Sequence, residues 1–107
     1  MTHSTINTEA ENTGSLNSVL HTIDITSLDA AGAETYDPAA EVGLDGQDRF
    51  GVSVRGQENP GYQIVWDHIN GQLAVKYADY DAASDGVLID VPSATDVGEV
   101  VLEVVGV

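Results

Sequence analysis

The sequence predicts an all-β fold, a small antiparallel β-sandwich or barrel of about six strands, and three observations carry that expectation. Residues 60–77 read as one complete β-hairpin. Tyr62, Ile64 and Trp66 alternate with Gln63 and Val65, and Leu73, Val75 and Tyr77 repeat the pattern. Between the two runs, Asn70 and Gly71 supply the left-handed backbone that a tight β connection needs. Further period-two apolar runs recur at short spacing, separated by turn-forming residues, and no stretch shows a convincing amphipathic helix.

Taken in order, residues 1–17 are polar and rich in Thr, Asn and Ser, with only Ile6 and Leu16 as larger aliphatic residues after Met1. Such a composition buries too little surface to offset its ordering entropy, so a flexible N-terminal arm is expected over 1–17 and a β-sandwich domain over 18–107. A strand is expected at 19–27, with Val19, Ile23 and Ile25 on one face. Residues 28–48 form a long connection in which Pro38 and many small residues favour turns, with room for a short helix near 38–42. Residues 50–55 alternate again, Phe50, Val52 and Val54 against Ser53 and Arg55. After the hairpin and an acidic loop at 79–86, Val87, Ile89 and Val91 define a fifth strand. Residues 92–98 are turn-rich. The final strand, 99–107, carries valine on both faces, which places it either at the centre of the core or against another subunit.

Length and charge narrow the function classes. A chain of 107 residues supports one domain with a single modest core. It has no cysteine, which removes disulfides and thiolate chemistry. No apolar run approaches the length of a membrane span, and residues 1–14 lack the basic and apolar segments of a signal peptide. The expectation is a protein that does not engage a membrane. Eighteen acidic residues stand against three basic ones, Arg49, Arg55 and Lys76, for a formal charge of −15. With so few cations to replace counterions, nucleic acid is not an expected partner. Self-repulsion of this size opposes a compact state in dilute buffer, but in molar salt the Debye length shrinks to about 3 Å and the repulsion is screened. The composition therefore points to a salt-saturated environment, with an ordinary acidic protein as the competing reading.

Candidate chemistry is sparse. Asp79, Asp81 and Asp85 lie on a loop ending in Gly86 and could present carboxylates to a hard cation such as calcium. Their spacing misses the helix-loop-helix calcium pattern, and a solvated acidic loop is the plainer reading. Asp67 and His68 are adjacent on the hairpin turn with no nucleophile placed nearby, so Asp67 reads as a turn residue accepting backbone hydrogen bonds. His3 falls in the expected arm, and His21 falls in a strand without an identifiable partner. Three scattered histidines make a weak zinc set. No catalytic residue is assigned, and an enzyme is not expected. Tyr62, Trp66 and Tyr77 alternate with aliphatic residues and read as core, while Tyr36 and Tyr80 fall in loops and read as the better surface contacts.

Asn59, Pro60, Gly61 and Tyr62, then Trp66-Asp67, Asn70-Gly71, Leu73 and Val75, are followed by Ala94-Thr95-Asp96-Val97 and a terminus ending Val105-Gly106-Val107. This arrangement resembles the small head proteins encoded beside the major capsid gene in many tailed phages. The resemblance covers residues 59–107, and residues 1–48 carry none. It implies a β-rich, homo-oligomeric decoration, cement or turret component on a capsid surface, with the major capsid protein as partner and no enzymatic activity. With the acidic composition, it implies a tailed virus of a halophilic archaeon and a place on the virion. The chain departs from the pattern in its single lysine and its acidic loop at 79–85. On this reading Ile6, Leu16, Val101, Val105 and Val107 are the capsid or subunit contacts: the core oligomerises through sheet edges or the last strand, and the arm docks on the lattice. The competing classes are a tail or baseplate component, a carbohydrate-binding β-module and a cellular halophilic β-domain.

Overall fold

The structure, a computed structural model, describes residues 3–13, 16–44, 51–79 and 87–106. Among them are eight strands and one short helix: β1 (His3–Thr13), β2 (Leu16–Ile25), β3 (Ala33–Thr35), α1 (Pro38–Val42), β4 (Val52–Gln57), β5 (Tyr62–Asp67), β6 (Gln72–Asp79), β7 (Val87–Asp90) and β8 (Gly98–Gly106). One sheet runs β1-β2-β8-β4. The other runs β3-β6-β5, with β7 also on β6. Every pairing is antiparallel. The all-β fold expected from the alternation is the one that forms, and the six strands anticipated from 19 onward correspond to β2 and β4–β8.

Alternation decides which side chains enter the core. In the first sheet Val19, Ile23 and Ile25 of β2 face inward with Val100, Leu102 and Val104 of β8 and Val52 of β4, all buried. Cross-strand register keeps them on one face, since Ile23 pairs with Val100, Val19 with Val104, and Val52 also with Val104. The second sheet contributes Ile64, Leu73 and Val75, with Tyr62, Trp66 and Tyr77 packed against them. Because β2 and β4 flank β8 on either side, the last strand is central. Both edges of β8 are therefore paired and none is free for oligomerisation, while its outward valines, Val101 and Val105, stay half-buried on the outer face of the sheet.

The hairpin turn forms as its residues dictate. The Asp67 carboxylate accepts hydrogen bonds from the Ile69 and Asn70 backbone N–H groups at 3.1 and 3.3 Å and from the Asn70 side-chain amide at 2.8 Å. That side-chain amide, helped by the backbone donors, holds the Asp67 carboxyl below its ordinary value. Gly71 closes the turn at φ 64°.

On the other edge of β6, β3 and β7 lie end to end. β3 pairs with Gln72–Ala74 and β7 with Lys76–Asp79. Gly32 and Val91 meet at the junction: Val75 N–H donates to the Gly32 carbonyl, Gly32 N–H to the Val91 carbonyl, and Val91 N–H to the Val75 carbonyl. Gly32 adopts φ 73°, and a Cβ there would run into the Asp90 side chain, so only glycine fits this seam. The Ala94-Thr95 turn is tied across the molecule, with Ala94 N–H donating to the Leu28 carbonyl and Leu28 N–H to that of Thr95.

Two strands were not anticipated. The arm expected over 1–17 is instead largely β1, an 11-residue edge strand paired with β2 from His3↔Ile25 to Thr13↔Leu16. Residues 4–10 are exposed, so β1 is held by its main-chain ladder, which polar composition does not weaken. β3 was hidden in the long connection because three residues, Ala33, Glu34 and Thr35, show no apolar alternation.

Candidate functional site

The side chain that β3 sends inward is a glutamate. Glu34 pairs with Leu73 in the ladder and is fully buried, at a position where the fold would otherwise take an apolar residue. One Glu34 oxygen accepts the Asp29 N–H at 3.0 Å, and the other lies 2.6 Å from His3 Nδ1. His3 Nε2 lies 2.7 Å from the Glu41 carboxylate on α1. The helix forms where Asp37 caps its start by accepting the Ala39 N–H at 3.2 Å, Pro38 fixes the first turn, and Gly43 ends it in the left-handed region. β1, β3 and α1 thus converge on one imidazole.

A neutral imidazole has a single N–H, and here both ring nitrogens face carboxylate oxygens at charge-assisted distances. The geometry suits an imidazolium, which alone can donate to both glutamates. The hydrogen bond to Glu34 raises its pKa above the ordinary 6.5; burial works against this, and Glu41 adds to the rise. Because the carboxylates approach opposite ring nitrogens, the three groups do not converge on a single ion.

A second buried histidine lies beside the first and is biased toward the neutral form. His21, on the inner face of β2, meets the Tyr36 hydroxyl through Nδ1 at 2.7 Å and the Thr5 hydroxyl through Nε2 at 2.9 Å. Hydroxyls donate or accept, so both bonds suit the neutral ring. Burial lowers the pKa of His21; Glu41 opposes this, and the charge on His3 adds to the fall. Burial also pushes the Tyr36 phenol up. The Tyr36 ring packs between the two imidazoles at 5.9 and 5.8 Å and meets Trp66 edge-on at 6.3 Å. Tyr36, expected as a surface contact, is therefore buried core, because its hydroxyl is the partner that His21 lacked in the sequence. Tyr62, Trp66 and Tyr77 turn inward as anticipated.

The expected contact residues fall in different places. Ile6 is exposed at a β-bulge between Thr5 and Asn7. Val101 and Val105 lie on the outward side of β8, half-buried, opposite Thr22 and Ser18 of β2. Leu20 lies on the same outward face, paired with Glu103 of β8 and Glu9 of β1. Glu9, Ser18, Leu20 and Glu103 line a shallow surface depression there. Arg55 bridges to Glu103 at 3.3 Å across this sheet, while Lys76 bridges to Asp90 at 2.9 Å on the other. Leu16 begins β2, opposite Thr13, and Val107 lies outside the described residues. Of the three loop aspartates, Asp79 ends β6 in register with Val87, whereas Asp81 and Asp85, like Tyr80 and Phe50, lie outside the described residues.

Sequence reasoning missed the buried polar cluster. The one signal for it was His21, a polar residue at an inward position between Val19 and Ile23. No protein-family model, no curated protein and no solved structure matches this chain.

Proposed function

We propose that this chain is a structural virion protein that decorates or stabilises the capsid of a halophilic tailed virus, assembling as a homo-oligomer on the major capsid protein and catalysing no reaction. The observation that carries this reading is the outward face of β2 and β8. Leu20, Val101 and Val105 are apolar side chains on the outward face of the middle strands of the first sheet, with Glu103 between the two valines and Glu9, Asp24 and Glu99 around them. Apolar contact among carboxylates strengthens as salt screens their repulsion, which suits attachment in molar salt. Repetition over a lattice multiplies a modest contact into stable occupancy. The resemblance of residues 59–107 to small head proteins supports the same assignment. The titratable groups of the buried cluster are engaged with one another rather than turned to a substrate. The inward-facing aromatics give no stacking platform for a sugar among the described residues.

The reading changes the role of the N-terminal segment. As an arm it would dock on the lattice by itself. As β1 it covers the open edge of β2, so its deletion would disturb the sandwich before it tested capsid contact. A point substitution on the outward face is the cleaner probe. Val101→Asp is expected to leave the fold intact and to weaken co-sedimentation with capsids of the major capsid protein in molar salt by about tenfold or more. Capsid occupancy equal to that of the unaltered chain would remove this face as the contact.

A further inference from the structure

Of residues 3–10 in β1, His3 is the buried one; the other seven are exposed. The strand has its ladder with β2 on one side. Its start is tied to the second sheet and to α1 by the His3 ring, while the Thr5 hydroxyl adds one bond to His21. The ladder is interrupted between Thr5 and Asn7, so the first three residues of β1 are marked off from the long regular stretch that follows. A short segment, a break behind it and one charged ring in front of it make a separable unit.

We propose that His3 is a proton-operated latch: as an imidazolium it bridges Glu34 and Glu41 and pins the start of β1 to β3 and α1, and on losing its proton it releases residues 3–5 from the sandwich. A neutral ring can donate to one carboxylate only. The other would then face a nitrogen lone pair, and two buried carboxylates would share a site without the cation between them. Outward movement of residues 3–5 relieves both, since it lets water reach Glu34 and Glu41, and the bulge at Ile6 supplies the hinge. The remaining ladder, Asn7↔Thr22 to Thr13↔Leu16, stays in place.

The groups facing His3 are Glu34 from β3, Glu41 from α1, His21 from β2 and the Tyr36 ring beyond β3. Their signs separate the two histidines. His3 is raised above 6.5, so its contribution is complete below that value and is lost as pH rises through the folded-state value. His21 is lowered, so its contribution is complete above 6.5 and is lost as pH falls. Tyr36 is pushed up and keeps its proton over the same range. Loosening on the alkaline side therefore belongs to His3.

The test is amide hydrogen exchange of the full chain from about pH 6 to about pH 9 at fixed ionic strength. Rates are converted to protection factors, and the His3 ring-nitrogen shifts are followed in the same samples. The latch requires imidazolium shifts at the acid end. As those shifts move to neutral-ring values, protection should fall by about tenfold or more at those amides of residues 3–5 and 23–25 that bond across the β1–β2 ladder, while residues 17–22 and the amides of 23–25 that donate to β8 keep theirs. His3→Gln should show low protection over 3–5 throughout and no step, and Glu41→Gln should move the step to lower pH. If His3→Gln does not fold, Glu41→Gln still decides. A neutral His3 at the acid end, flat protection while the ring titrates, or a step unmoved in Glu41→Gln would each overturn the proposal.

Discussion

Glu34→Ala is expected to destabilise the protein by about 3–5 kcal/mol, the usual cost of removing one partner from a buried ion pair. The Glu34 side chain is fully buried and that of His3 is 1% exposed, so neither group can turn to water while the sandwich stays closed. Removing the carboxylate leaves the His3 imidazolium with Glu41 alone, leaves the Asp29 N–H without this acceptor, and opens a void beside Leu73. Urea denaturation at constant salt measures the change. A loss below about 1 kcal/mol would mean that the charge pair does not close the sandwich.

Leu102→Ala is expected to cost about 2–5 kcal/mol, from lost transfer free energy and the cavity left behind. Leu102 is fully buried on the central strand, paired with His21 on one side and Val54 on the other, so both flanking strands hold the cavity open. Val101→Ala, one residue earlier on the outward side, is expected to stay within about 1 kcal/mol. The contrast, measured by the same denaturation, tests the register of β8. Equal costs at the two positions would mean that the last strand does not have one inner and one outer face.

What the sequence disclosed follows from how each element is held. β2 and β4–β8 are held by side chains that alternate, and alternation is visible in a string of letters. α1 was only partly legible: the sequence left room for a short helix near 38–42, but Pro38 and its small neighbours read equally as turn residues, and the caps on Asp37 and Gly43 emerge in the structure. β1 was illegible because its hold is main-chain pairing plus a buried ring on His3, thirty-one residues away from the glutamate that it meets. β3 was illegible because its inward residue is Glu34, a residue that pattern reading assigns to solvent. The same fact concealed the cluster. A histidine and a glutamate far apart in a polar segment and a polar connection look solvated until the topology brings both into the core. Of the expected contacts, Val101 and Val105 proved to be outward on a central strand, which turned a possible subunit edge into a face. The edge that remains open in the first sheet at the N-terminal end is that of β1.

The central proposal is that the chain is a capsid component, and its copy number in purified virions of the proposed halophilic virus is the most direct measurement. The account predicts a fixed ratio to the major capsid protein, set by the symmetry of the lattice and lowered by Val101→Asp. Absence of the chain from the particles, or a trace amount bearing no fixed ratio to the capsid protein, would contradict it.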